Sequence, residues 1–171
     1  STSSAASDVY KRQGQGDEKV ENLYARLGSL EPNICFAGHV DVVPTGDEQS
    51  WSIDPFGGEI KKGKIWGRGA ADMKSGIAAF IAAVSEFMEI NKNLKDYGSI
   101  SFIITSDEEG KAINGTKKVV EWLINKSEKI SGCLVGEPTN VNQMGDTIKI
   151  GRRGSFTGSL IVKGIQGHVG L

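Results

Sequence analysis

The chain has few of the residues that usually announce a function. Only two cysteines and two histidines occur among its 171 residues. Cys35 and Cys133 each sit inside an apolar, strand-like run. They read as buried, reduced packing residues, since a disulfide would be unusual in a cytosolic chain. Charge of one sign is also lacking. A net charge of −1 supplies no basic field for nucleic acid and no polybasic patch for a membrane surface. No apolar run approaches the roughly 20 residues that a membrane span requires. The N-terminus has no apolar segment of the kind a signal peptide carries. Internal repeats and low-complexity arrays are absent too.

What remains is a globular composition, 38% hydrophobic and 24% charged, sufficient for one domain or one and a part. Residues 1–19, small and polar without hydrophobic period, read as a disordered or artefactual segment. Beyond Val20, "VENLYARLG" and "NICFAGHVDVVP" read as strands, the second nearly all apolar and therefore central. A Gly-rich loop follows, with short strand pieces around Ile60 and Ile65. Ile77, Phe80, Ile81, Val84, Phe87 and Met88 then recur at helical spacing as one apolar stripe. "SISFIIT" is a further buried strand. "INGTKKVVEWLINK" is a helix with Val119, Val120, Leu123 and Ile124 inward, and "SGCLVGEP" is a strand stopped by Pro138. This alternation predicts an α/β fold, a mixed sheet flanked by helices, over residues 20–150. From Asp146 the texture changes to the alternation of antiparallel strands, so residues 151–171 read as the start of a second, truncated domain.

In such sheets, ligand sites form outside the carboxyl ends of the strands. His39 and Asp41 stand at one such end, Glu108 and Glu109 at another, Glu137 at a third, and Asp72 in the loop before the first helix. Each has a plain reading when taken singly: a hydrogen-bonded core histidine, a turn aspartate, a residue near a helix N-cap, a solvated acidic turn, a surface glutamate. Their recurrence at one edge favours a common site. One imidazole with several carboxylates suits zinc, cobalt or manganese, whereas calcium would want more oxygens. Without a cation, the gathered carboxylates would be costly. Asp72 could bridge two ions at the roughly 3.5 Å separation of two-metal hydrolases.

Other motifs say less. "GRGAADMKSG" suggests a phosphate loop feeding a helix, but Met73 stands where the second glycine of such a loop is needed. A nucleotide- or metal-binding module without catalysis is thus the reading from a different class. Arg152 and Arg153 in "GRRGS" are solvated strand charges or a carboxylate-binding element. Composition assigns no role to His168.

The segments "GHVDVVPTGDEQSW", "GRGAADMKSG", "ITSDEEG", "GEPTN" and "IKIGRRGSFTGSLIVKGIQGHV", in that order, resemble the bacterial succinyl-diaminopimelate desuccinylase family. That family belongs to the dinuclear zinc aminoacylase and carboxypeptidase superfamily. The resemblance runs from about Val20 to Val169 and implies a zinc-peptidase-like catalytic domain followed by an α+β lid and dimerisation domain. It implies two zinc ions, with cobalt as a substitute. His39 and Glu137 would serve the first ion, Glu109 the second, and Asp72 would bridge both. Glu108 would be the general base and acid, and Asp41 would hold the His39 ring. Arg153 or Arg152 would bind a substrate carboxylate, and His168 would be lent to the other subunit's site of a cytoplasmic homodimer. The implied reaction is hydrolysis of N-succinyl-LL-2,6-diaminopimelate to succinate and LL-2,6-diaminopimelate, in lysine and diaminopimelate biosynthesis. The resemblance also implies a cis peptide between Asp72 and Met73.

The family's further histidine ligand to the second zinc has no counterpart here. The expectation is therefore an incomplete fragment that is weakly active or inactive and loses metal easily. Acetylornithine deacetylase-like or carboxypeptidase-type activity is the alternative within the same superfamily.

Overall fold

The computed structural model describes residues 20–93, 98–152, 154, 156, 158–165 and 167–168; the segment 1–19, expected to be disordered, lies outside them. In chain order the elements are β1 (Leu23–Leu27), β2 (Asn33–His39), β3 (Ile60–Lys61), β4 (Lys64–Ile65), α1 (Ser75–Ile90), β5 (Ser99–Thr105), α2 (Thr116–Asn125) and β6 (Gly132–Val135). The chain divides into two compact units, Ser1–Pro138 and Thr139–Leu171.

The first unit carries a four-stranded sheet in the order β1-β5-β2-β6. β2 runs parallel to both β5 and β6, while β1 is antiparallel to β5. Three strands therefore deliver their carboxyl ends to the same edge, as the βαβ alternation in the sequence predicts. β3 and β4 form a separate antiparallel ribbon in the Gly-rich loop.

Each face of the sheet has its own packing. On one side Tyr24, Cys35, Ala37, Ile103, Val119 and Leu123 form the buried cluster, with Trp122 and Ile130 against it. On the other, Phe36 stacks on Phe80 of α1 at 4.6 Å, and Phe102 meets Phe80 edge-on at 5.2 Å. Such pairs add about 0.5–1.5 kcal/mol beyond the area they bury.

Three expectations are corrected. In α2, Val119 and Leu123 are buried, but Val120 and Ile124 are 42% and 69% exposed; the inward stripe is one i,i+4 pair, widened by Trp122. In α1, Ile81 faces solvent while Phe80, Val84, Phe87 and Met88 are half-buried. Cys133, expected to be buried, is exposed, because β6 is an edge strand.

In the second unit, the Asp146 carboxylate accepts the backbone N–H groups of Val141, Asn142 and Gln143 at 2.7–3.1 Å. Asn140 Oδ1 accepts that of Gly145 at 2.8 Å. These bonds close a tight loop. Among the described residues beyond it there is no strand, although the sequence alternates. Ile148, Ile150, Phe156, Leu160, Ile161, Val162 and Ile165 are all exposed. Alternation specifies a strand only where a neighbouring strand and a face to bury are available, and the described residues of this unit supply neither.

Candidate metal centre

The centre is assembled at the common carboxyl edge. His39 is the last residue of β2 and is 1% exposed. The ladder continues one residue past it, with Val40 N–H donating to Thr105 C=O at 2.9 Å, so Asp41 emerges beside the end of β5. Glu108 and Glu109 follow β5 in the turn after Thr105, and Glu137 follows β6. Gly136 N–H donates to Ala37 C=O at 3.0 Å, which fixes the start of that last turn.

Asp72 arrives differently. It lies in a distorted turn before α1, with φ −119° and ψ 100°, and the Asp72–Met73 peptide is cis, as the sequence resemblance implies. Met73 is buried beneath it. The space for Met73 comes from Gly38: a Cβ there would lie 2.7 Å from Met73 Cε. This glycine thus lets the Asp72 turn sit over the end of β2. Asp72 is no helix cap in this arrangement; its Oδ1 stands 3.1 Å from His39 Nε2.

Glu137 Oε1 stands 3.6 Å and Glu108 Oε2 4.0 Å from the same nitrogen. Two donor groups fall within ion-binding reach: His39 with Asp72 and Glu137, and His39 with Glu108 and Glu109. All four residues expected as metal ligands are therefore brought together, with Glu108 among them.

The donor chemistry fits a cation. His39 Nδ1 lies 2.9 Å from the Asp41 carbonyl oxygen, so in the neutral ring that nitrogen carries the proton and Nε2 presents a lone pair. A lone pair facing three carboxylates is satisfied only by a proton or by a metal ion. Burial disfavours a charged His39, yet the Asp41 carbonyl, Asp72, and the charges of Glu137 and Glu108 together raise its pKa. The carboxylates show the complementary effect. Burial first, then the charge of Asp72, raises both Glu137 and Glu109, with Glu108 adding to each. An uncompensated negative cluster behaves in this way, and a dication reverses it.

The role expected of Asp41 is refined. Its backbone carbonyl, and not its carboxylate, is the close partner of the ring; Oδ1 is 3.6 Å from Nδ1. Asp41 Oδ2 instead accepts the backbone N–H groups of Glu108 and Glu109 at 3.0 and 2.9 Å. One side chain thus ties the end of β2 to the acidic turn after β5.

Asp107, the third acid of that turn, turns away from the centre. It accepts the backbone N–H groups of Ala112, Ile113 and Asn114 at 2.8–3.1 Å, led by Asn114, and these bonds hold its pKa below the usual carboxylate range. A Cβ on Gly115 would lie 2.2 Å from the Asp107 carbonyl oxygen, so the loop closes only with glycine there. Neither task is visible in the spacing of the residues. The signal that could have found Asp107 is its place ahead of "GKAING", an aspartate leading a turn.

Of the remaining expected residues, Arg152 and His168 are exposed members of the second unit, and Arg153 lies outside the described residues.

The chain is 60% identical over 156 residues to a succinyl-diaminopimelate desuccinylase of Rhodospirillum centenum (strain ATCC 51521 / SW), covering 91% of this chain and 40% of that protein. It is 57% identical over 161 residues to the protein of that name from Pelagibacter ubique (strain HTCC1062), covering 94% and 41%. The chain thus spans about two-fifths of the length of these relatives. Among solved structures it resembles human carnosine dipeptidase 1, with a TM-score of 0.59, 31% identity, and 76% of this chain and 28% of that one covered. It shares its fold with an M20 family metallo-carboxypeptidase, Sso-CP2 from Sulfolobus solfataricus, with a TM-score of 0.62, 21% identity, and 77% and 28% covered. With His39, Asp72, Glu108, Glu109 and Glu137 all inside the segment 35–164 that matches the family's sequence model, the chain belongs to peptidase family M20/M25/M40.

Proposed function

We propose that this chain is the metal-binding part of an amidohydrolase that removes succinate from N-succinyl-LL-2,6-diaminopimelate. The observation that carries the reading is the convergence of one imidazole and four carboxylates on His39 Nε2 and its surroundings. His39, Asp72 and Glu137 would hold one zinc ion, and Asp72 with Glu109 would hold a second. Bound dications supply the positive charge that the carboxylates lack, acidify water toward neutrality and polarise the amide carbonyl.

The chain's own residues do the rest. Asp41 C=O fixes the ring so that Nε2 faces the ligand group. Glu108 takes the proton of the attacking water and returns it to the leaving amine. Its neighbour Glu109 stands in the same donor group with His39 and would serve as a ligand. Arg153 or Arg152 would pair with a carboxylate of the substrate, and His168 would stabilise the oxyanion in the other subunit of a homodimer. The names of relatives at 54–60% identity support the succinyl substrate. The likeness to human carnosine dipeptidase 1 supports a second reading, in which the amide cleaved belongs to a dipeptide, beside the acetylornithine deacetylase-like alternative within the superfamily.

A substrate panel on the full-length gene product, loaded with zinc, separates the two. The expected result is hydrolysis of the N-succinyl substrate in preference to N-acetyl and dipeptide analogues. Glu108→Gln should lower kcat by about 10²–10⁴-fold with zinc content unchanged. Preference for a dipeptide or N-acetyl substrate establishes the second reading, and activity that survives Glu108→Gln rejects the general-base assignment.

A further inference from the structure

Cys35 and Cys133 take no part in the metal centre, yet they are register partners on adjacent parallel strands. Register partners in such a ladder project from the same face. Neighbouring strands lie about 4.8 Å apart, inside the roughly 4.4–6.8 Å between Cα atoms that a disulfide spans. Further along the same two segments, toward the carboxyl edge, stand His39 and Glu137.

The pair is asymmetric in a useful way. Both thiols are free; Cys35 is fully buried in the cluster with Tyr24, Ile103, Val119 and Leu123, and Cys133 is exposed on the edge strand. The neighbouring Cys35 lowers the Cys133 thiol to about 7, and Cys133 together with burial pushes the Cys35 thiol up. The thiolate is the form that attacks peroxides and disulfides. The accessible sulfur is therefore the more readily ionised of the two.

We infer that Cys133 and Cys35 form a peroxide-oxidisable dithiol, Cys133 attacking and Cys35 resolving. In the first step Cys133 Sγ attacks one oxygen of hydrogen peroxide. The O–O bond breaks, an S–O bond forms, and the hydroxide released takes up a proton to become water. Cys133 is oxidised to a sulfenic acid and the peroxide is reduced. In the second step Cys35 Sγ attacks Cys133 Sγ. The S–O bond breaks, an S–S bond forms, and the departing hydroxide leaves as water with the Cys35 proton. Two thiols and one peroxide thus give one disulfide and two waters.

The test treats the folded chain with hydrogen peroxide at neutral pH, quenches with acid, alkylates the remaining thiols after denaturation and reads the intact mass. The expected product is a single chain lighter by two hydrogens, with neither cysteine alkylated and both restored by reductant. It should form about tenfold faster than in the urea-denatured chain, as the larger thiolate fraction of a thiol near 7 predicts. Cys35→Ser should stop at a sulfenic acid on Cys133, trapped by dimedone, and Cys133→Ser should leave Cys35 open to alkylation. Equal rates in the folded and denatured chain would overturn the inference, even if a variant failed to fold. So would a bridge between two chains, or oxidation of Cys133 to sulfinic acid with Cys35 untouched.

Discussion

Asp41 shows how much one side chain can organise. Its carboxylate holds two backbone N–H groups that would otherwise be left unpaired at the end of β5, while its carbonyl sets the ring of His39. Asp41→Ala should therefore weaken zinc binding by about 10–100-fold and destabilise the fold by about 1–3 kcal/mol. Asp41→Asn, which keeps one acceptor oxygen, should lose less of each. Zinc titration and urea denaturation of the two variants check this, and equal loss in both would show that the acceptor is not what matters. His39, Asp72, Glu109 and Glu137 were legible in the sequence because strand ends and loop starts place them at one edge. The actual partners of Asp41 and Asp107 were not, since both are backbone N–H groups of a turn whose path no periodicity encodes.

The two helices illustrate what apolar spacing leaves undecided. Val119, Val120, Leu123 and Ile124 form two i,i+4 pairs one residue apart, and either pair satisfies the helical period. The sheet chooses Val119 and Leu123, because the bulk of Trp122 is drawn against Tyr24, with ring centroids 5.9 Å apart. Leu123→Ala should then cost about 2–5 kcal/mol, whereas Ile124→Ala, exposed, should stay within about 0.5 kcal/mol. Denaturant midpoints of the two variants decide between the pairs.

On the same face, the Tyr24 hydroxyl donates to Glu128 at 2.8 Å, and Glu128 also accepts from Arg26 at 2.5 Å. Burial, reinforced by the Glu128 bond, raises the Tyr24 pKa to about 12. The unfolded chain releases this proton first, near pH 10. The contribution is therefore complete below about pH 10 and lost as the pH rises to about 12. The urea midpoint of the native chain should fall across that window, and Tyr24→Phe should flatten the fall.

At the scale of the molecule, the parallel run β5-β2-β6 explains why chemistry gathers where it does: three carboxyl ends and one glycine-lined turn meet at a single edge. Strand and helix alternation made this legible in the sequence. The alternation after Asp146 was equally regular and formed no strand among the described residues, because pairing partners and a buried face are properties of the whole fold and not of a segment. No helix among the described residues is long and apolar enough to cross a membrane.

The account's central claim is that the carboxylate cluster around His39 is a metal centre and not an acidic turn beside a core histidine. Calorimetric titration of zinc into the chain at neutral pH tests it most directly. The account predicts saturable binding with proton release, because ligands that are partly protonated without metal must give up protons. It also predicts a raised thermal midpoint in zinc, with binding and stabilisation both lost in His39→Ala and in Glu137→Gln. Zinc binding that is absent, or that is unchanged in these two variants, would contradict it.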